Sequence, residues 1–372
     1  MSNFVDNSPI MKGNEAAKAA DYANYFSAYS YLYHQKQMLM DNVRMQAYHS
    51  AIMSNKKFFE GKTVLDVGTG SGVLAIWCAQ AGAKKVYACE FTDMAKHARS
   101  MVESNGLSDI VEVIQSSAED LNLPCGEGKV DVIISEWMGY LLLRESMLDS
   151  VLRARNKWLN PSTGVMFPSH ATMYWGAISF EEDRMHKINE YANSMADWKD
   201  FAKSMQSNYN IKMDSLTDTY DKEQADYFIH SGLWTELSPE HLVGQSTVMK
   251  TLDLNTCTLE DAEAVDQLRY SMRIPFPTKV SGFAGWFTTD FAGSDSNPAT
   301  KRIILSTGPE VGYTHWGQQV FYLRDAIECA ANTTISGSLA MVRQTVNKRL
   351  YDMIFSVTVN EEEEKQYKYE IP

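Results

Sequence analysis

TVLDVGTGSGVLAIWCAQAGAKKVYACE, Thr63 to Glu90, reads as strand, glycine loop, helix and second strand. The apolar run TVLDV is short and bounded by glycines, which suits a strand buried on both faces. Gly68, Gly70 and Gly72 let the backbone turn sharply into the helix VLAIWCAQAG and approach a ligand closely there. Working outward, VEVIQSS (Val111 to Ser117) and KVDVIIS (Lys129 to Ser135) supply two more strands. Strands alternating with helical stretches imply an α/β fold, a parallel sheet with covering helices. The helix after Glu145 ends at KWLNPSTG, because Asn160 precedes Pro161 and is restricted away from helical geometry.

Beyond Phe167 the pattern changes. ATMYWGAI, STVMKTLDL, SGFAGWFTTDF, RIILSTG, QQVFYL, ISGSLAMVR and RLYDMIFSVTV are short strand-like runs. In the last, Tyr351, Met353, Phe355, Val357 and Val359 alternate with Asp352, Ser356 and Thr358, as in a half-buried antiparallel strand. An all-β domain, sandwich or barrel, is therefore expected after the α/β one. A helical segment from Glu181 to about Ser207 interrupts it. Its residues Ile188, Tyr191, Met195, Trp198, Phe201 and Met205 form an apolar stripe that fits either its own domain or another subunit. Residues 55–167 and 168–372 are the expected domains, preceded by an N-terminal segment, 1–54, that is adaptable at first and helical from Asp21 to Ser54. The EEEEK run near the end reads as a solvated tail or turn.

With 372 residues and 44% hydrophobic content, the chain has room for two sizeable domains. A formal charge of −13 disfavours generic nucleic-acid binding and favours basic partners. Cys78, Cys89, Cys125, Cys257 and Cys329 are scattered without a CxxC pair, so neither a disulfide framework nor a metal site is expected. The N-terminal residues have no apolar core, and no run reaches membrane-spanning length. A reducing compartment, cytosol or nucleus, is the expected location.

Two sites carry chemistry. Glu90 ends the strand after the glycine loop, placed to take both hydroxyls of a ribose. A dinucleotide fingerprint asks for GxGxxG/A, but the sixth residue from Gly68 is Val73. GxGxG, with Asp66 before it and Glu90 after it, instead resembles S-adenosylmethionine enzymes. The second site is SEWMGYLLLRESM, Ser135 to Met147. On one continuous helix Glu136 and Glu145 would face opposite ways. They converge only if the chain reverses between them, which Gly139 makes cheap. Two carboxylates meeting at the carboxyl end of a strand suit a flat bidentate cation, and a guanidinium is the obvious one.

These two motifs, with YTHWGQQVFYL (Tyr313 to Leu323) and the N-terminal YFSAYSYLYHQKQMLMDNVR, resemble the protein arginine methyltransferases, from about Tyr25 to the C-terminus. The resemblance implies a Rossmann-like methyltransferase domain followed by an antiparallel β-barrel with an inserted helical arm that forms a homodimer. It implies S-adenosylmethionine as methyl donor, S-adenosylhomocysteine as product, and arginine in Gly/Arg-rich protein segments as target. It places Asp66, Gly68, Gly70, Gly72, Glu90, Ala118, Glu119 and Arg44 at the donor, Arg44 on its carboxylate and Glu119 on the adenine amino group. Tyr25 and Tyr29 would close over donor and substrate. Met38 and Met147 match members that form asymmetric dimethylarginine, and Met138 and Trp316 fall on the substrate side, Trp316 as packing. One departure shows: Gln35 stands where the family usually has His, with His34 beside it.

The chemistry expected is positioning with electrostatics. Glu136 and Glu145 would hold the guanidinium and draw its positive charge away from the nitrogen that attacks. Asp41 would orient His315, which receives the proton or anchors the site. A monomethylating member, or a donor-binding subunit without catalysis, are the alternatives. The latter would be expected to lack a glutamate or His315, and this chain keeps them. A small-molecule or nucleic-acid methyltransferase does not call for two clamping carboxylates.

Overall fold

The computed structural model describes residues 26–371 apart from positions 28, 346 and 361; Tyr25 lies outside the described residues. The N-terminal helical stretch is two helices, α1 (Leu32–Met40) and α2 (Asn42–Met53). They break at Asp41, whose extended backbone ends α1 while its carboxylate accepts the Arg44 N–H at 3.0 Å and so caps α2.

The first sheet is parallel, in the order β3-β2-β1-β4-β5, from β1 (Thr63–Val67), β2 (Lys85–Glu90), β3 (Val111–Gln115), β4 (Val132–Ile134) and β5 (Val165–Phe167). Helices α3 (Val73–Gln80), α4 (Met94–Ser104) and α5 (Met147–Trp158) connect its strands. Successive strands run outward from β1 on one side, and the chain then returns to place β4 on the other. That reversal opens a crevice at the carboxyl ends of β1 and β4, where doubly wound sheets bind ligands. Val64, Leu65, Val86, Ala88, Ile133 and Ile134 are fully buried, as a sheet covered on both faces requires.

Antiparallel structure begins at β6 (His170–Ile178). One sheet joins β6, β7 (Leu233–Thr235), β8 (Leu242–Asp253), β10 (Thr278–Ser294), β11 (Asn297–Ser306) and β12 (Gln318–Cys329). The other joins β9 (Val265–Ile274), β13 (Thr333–Arg343), β14 (Tyr351–Val359) and β15 (Lys365–Ile371). Aromatic contacts close the space between them. Trp175 stacks on Phe283 at 5.2 Å and meets Phe355 edge-on at 5.3 Å, while the Tyr369 hydroxyl donates to the Tyr322 carbonyl at 2.6 Å. In β14 the expected alternation holds for Tyr351, Met353, Phe355 and Val357, but Ser356 is also buried, its carbonyl accepting from the Tyr270 hydroxyl at 2.7 Å. Residues 362–364 of the acidic run lead into β15, so they lie in a turn between strands and not in a tail.

The arm is longer than the sequence suggested: α6 (Glu181–Tyr209) spans 29 residues and is followed by α7 (Asp214–Phe228), which the periodicity analysis did not separate. Part of the apolar stripe packs on α7, with Trp198 stacked on Tyr220 at 4.4 Å and its Nε1 donating to Thr217 at 3.0 Å. Met185, Phe201, Tyr209, Ile211, Leu216 and Tyr227 remain exposed.

Candidate active site

The glycine loop, Glu90 and the two-glutamate loop follow β1, β2 and β4, and so gather at the switch point. Gly68 and Thr69 donate to the Cys89 carbonyl at 2.9 Å, which pins the glycine loop to β2. Its glycines are needed in different ways. Gly68, at φ +73°, would bring a Cβ within 2.3 Å of the Met147 Cε, and Gly70, at φ +54°, within 2.9 Å of the Gln35 amide oxygen. Gln35 is buried over the loop and donates to the Tyr29 carbonyl at 3.3 Å.

Glu90 is held from three sides: the Gly70 N–H at 2.9 Å, the Thr92 N–H at 2.8 Å and the Thr92 hydroxyl at 2.7 Å. Asp66 is fully buried, accepts the Thr69 hydroxyl at 2.5 Å on Oδ2, and has no partner on Oδ1. Burial pushes its carboxyl up to about 7, against the Thr69 bond and with help from the Glu90 charge. Ala118 is half-buried, and Glu119 accepts the Ser150 hydroxyl at 2.7 Å.

The two-glutamate loop is a tight hairpin. Gly139 donates to the Leu142 carbonyl at 3.0 Å, and a Cβ on Gly139 would fall 1.9 Å from the Arg144 carbonyl oxygen. Leu141, Leu142, Glu145 and Ser146 all have positive φ, at 46°, 66°, 78° and 55°. Strained backbone of this kind persists where the surroundings enforce it, and it clusters at functional sites. Here Tyr48 and Ser135 supply part of the enforcement: the Tyr48 hydroxyl donates to the Ser135 carbonyl at 2.9 Å, and the Ser135 hydroxyl to Val67 at 2.7 Å.

Glu136 and Glu145 lie on this one loop, and each carboxylate has its own partners. Glu136 Oε2 takes Arg44 Nε at 3.0 Å and Nη2 at 2.9 Å. Glu145 Oε2 accepts the Tyr29 hydroxyl at 2.9 Å, and its Oε1 lies 3.5 Å from Arg144. Arg44, expected on a donor carboxylate, is thus paired with a clamp glutamate. Glu136 takes Nε and one Nη2 hydrogen, and the Met38 carbonyl and Met45 Sδ take Nη1, so one of the five Arg44 N–H hydrogens, on Nη2, is left for a ligand.

Asp41 and His315 meet as expected from the sequence. Asp41 Oδ2 lies 2.8 Å from His315 Nδ1 and accepts the His315 N–H at 2.9 Å, with the Asp41 side chain at 0% exposure. Burial raises the Asp41 carboxyl, but the bonds from His315 and the Arg44 N–H outweigh it and hold the group below its ordinary value. Met138 and Trp316 are both buried, Trp316 in the packing role expected of it. Trp316 Nε1 donates to the Met138 carbonyl at 2.8 Å, and Met138 Sδ sits 3.7 Å from the Tyr48 hydroxyl. Tyr48, Arg144 and Arg349 were not singled out from the sequence; each sits in or beside a motif, but no spacing rule marks it.

These residues fit S-adenosylmethionine. A guanidinium suits its carboxylate, an acidic residue at the end of β2 suits ribose hydroxyls, and Asp66 Oδ1 is a buried oxygen without a partner. Fold and site therefore define a class, the Rossmann-like methyltransferases with an appended antiparallel domain. Comparison with known proteins narrows it. The model of the arginine methyltransferase oligomerization subdomain matches residues 169–362, and that of ribosomal protein L11 methyltransferase matches residues 35–155. Protein arginine N-methyltransferase PRMT10 of Oryza sativa subsp. japonica is 49% identical over 353 residues, 94% of this chain and 91% of that one. The Arabidopsis thaliana PRMT10 is 48% identical over 346 residues, 92% and 89% of the two chains. A crystal structure of Arabidopsis thaliana protein arginine methyltransferase 10 superposes with TM-score 0.90 at 45% identity, covering 94% of this chain and 100% of that one. The Trypanosoma brucei PRMT1 enzyme–prozyme complex with AdoHcy gives 0.76 at 26% identity, covering 93% and 100%. The chain belongs to the protein arginine N-methyltransferase family, whose methyl donor is S-adenosylmethionine.

Proposed function

We propose that this protein transfers methyl groups from S-adenosylmethionine to guanidinium nitrogens of arginine in Gly/Arg-rich protein segments, giving mono- and asymmetric dimethylarginine. The observation that carries the reading is the pair Glu136 and Glu145 on one glycine-pinched loop at the switch point, each carboxylate already partnered by a cation or hydroxyl. Bound donor supplies an electrophilic methyl on a sulfonium. Gly68, Gly70, Gly72, Asp66, Glu90, Ala118, Glu119 and Arg44 hold the donor. Met38, half-buried, lends Arg44 its carbonyl, and Met147 lies over Gly68; together they narrow the space for a second methyl.

Guanidinium is a poor nucleophile because its charge is delocalised and its pKa is above about 12. Charge-assisted bonds from the two glutamates draw positive charge toward the nitrogens they hold and leave the remaining one richer in electrons. Tyr29 fixes one Glu145 oxygen, so the carboxylate enters the reaction already oriented. Asp41 engages His315 Nδ1, leaving Nε2 as the ring nitrogen for a proton. The exposed apolar residues of the arm, and the match to an oligomerization subdomain, support a homodimer. Five free cysteines are consistent with a reducing cytosol or nucleus. The test is transfer of labelled methyl from S-adenosylmethionine to a Gly/Arg-rich peptide and to the same peptide with lysine for arginine. Label on the first alone is expected, and equal labelling of both would overturn the reading.

A further inference from the structure

Glu145 is the more strained of the two glutamates, and a turn from the far antiparallel sheet holds it. Residues 347–350, which lead into β14, reach the two-glutamate loop. The Glu145 N–H donates to the Arg349 carbonyl at 2.8 Å, and Arg349 Nη1 donates back to the Glu145 carbonyl at 3.0 Å. Beside them the Ser146 hydroxyl donates to the Lys348 carbonyl at 2.6 Å. Both peptide groups of a left-handed residue are thus fixed by one partner, which is how a φ of +78° at a non-glycine position is kept.

The same guanidinium touches the N-terminal segment. Arg349 Cζ lies 4.9 Å from the Phe26 ring centroid, and Phe26 also meets Phe91 edge-on at 4.6 Å. Phe91 directly follows Glu90, so Phe26 is wedged between the proposed ribose-binding strand end and the turn that holds Glu145. Three residues later Tyr29 bonds Glu145 itself.

We propose that Arg349 is a positioning residue for methyl transfer, fixing the Glu145 backbone through its carbonyl and clasping the N-terminal segment through Phe26. Seating of that segment over the donor and orientation of the second clamp carboxylate then become one event. The inference rests on the proposed arginine methyltransferase reading and deepens it.

The experiment uses the full chain with Arg349→Met, Arg349→Lys, Phe26→Leu and the double variant Phe26→Leu/Arg349→Met. Turnover and KM are measured on a Gly/Arg-rich peptide, and S-adenosylmethionine affinity by calorimetry. Arg349→Met keeps length but loses donor and charge, so turnover should fall on the order of 10- to 100-fold, the usual worth of a charge-assisted bond. Arg349→Lys keeps one donor and the cation over the ring and should stay within about fivefold. Phe26→Leu should weaken donor binding, and its loss should not add to that of Arg349→Met, because both break one contact. Three results overturn the proposal: Arg349→Met turning over within about twofold of the parent, Arg349→Met and Arg349→Lys losing equally, or strictly additive losses in the double variant. Should Arg349→Met not fold, Arg349→Gln, which also loses the cation, takes its place in the cycle with Phe26→Leu. If the unaltered chain methylates no arginine, the functional reading itself has failed, and donor affinities still report whether Arg349 and Phe26 are coupled.

Discussion

Replacing Asp41 by asparagine isolates the charge that sets His315, since the two side chains are the same size. In the parent, Oδ1 accepts the Arg44 N–H at 3.0 Å, and Oδ2 faces both His315 N and Nδ1, at 2.9 and 2.8 Å. Asparagine has one acceptor oxygen. Pointed at Arg44, it keeps the helix cap, which asparagine serves as well as aspartate, but turns an NH2 against the His315 N–H. Pointed at His315, it turns that NH2 against Arg44. With Asp41 fully buried, either choice leaves an orphan donor and removes one charge-assisted bond, a loss of about 2 kcal/mol. Expressed in the orientation of His315, that is about a 30-fold fall in turnover. Donor affinity should change little if the amide oxygen keeps the cap. The assay is steady-state methylation of a Gly/Arg-rich peptide, with calorimetric S-adenosylmethionine binding as the control. The pair also has a pH signature. Asp41 is held below its ordinary value, so its stabilisation is complete above about pH 4 and fades as pH falls through the depressed value. The stability gap between parent and Asp41→Asn should therefore close in acid. Turnover within about twofold of the parent, with donor binding intact, would refute the argument that the pair is used.

The two clamp glutamates should separate in their effect on the donor. Glu145→Gln is expected to abolish most turnover and leave S-adenosylmethionine affinity nearly intact, whereas Glu136→Gln also releases Arg44 and shifts that affinity; identical affinities in both variants contradict the Arg44–Glu136 geometry. Asp66 has its carboxyl raised to about 7, so the folded state holds a proton that the unfolded chain loses. Stability should fall as pH rises from about 4 toward 7, and Asp66→Asn should flatten that slope in denaturant melts; parallel curves for the two proteins count against it. The exposed arm should mediate self-association: Phe201→Glu with Leu216→Glu is expected to halve the mass seen by sedimentation, and an unchanged mass removes the arm from the interface.

How far the sequence led depended on whether a feature was local. The parallel sheet was legible because fully buried strands such as TVLDV and KVDVIIS read as apolar runs ended by glycine or polar loops. The reversal in the two-glutamate loop was legible because Gly139, between Glu136 and Glu145, is where a tight turn is cheapest. The second arm helix, Asp214–Phe228, carries few apolar residues and buries none fully, so periodicity had little to detect. Arg349 escaped notice because its importance comes from a turn more than 200 residues from Glu145 (the pair is separated by 204) meeting it in space. The pairing of Arg44 with Glu136 escaped for the same reason, lying 92 residues apart. Trp316 packs as read from its motif, whereas the burial of Met138 was not legible, since a motif gives residue type and not the direction a side chain takes.

The account stands or falls on where the methyl group goes. The most direct measurement is mass spectrometry of a Gly/Arg-rich peptide incubated with this protein and S-adenosylmethionine, with Glu145→Gln in parallel. The prediction is a gain of one or two methyl groups located on arginine by fragment ions, the second on the nitrogen already methylated, and no gain with the variant. Methylation of another residue, undiminished methylation by Glu145→Gln, or donor binding without any transfer would contradict it.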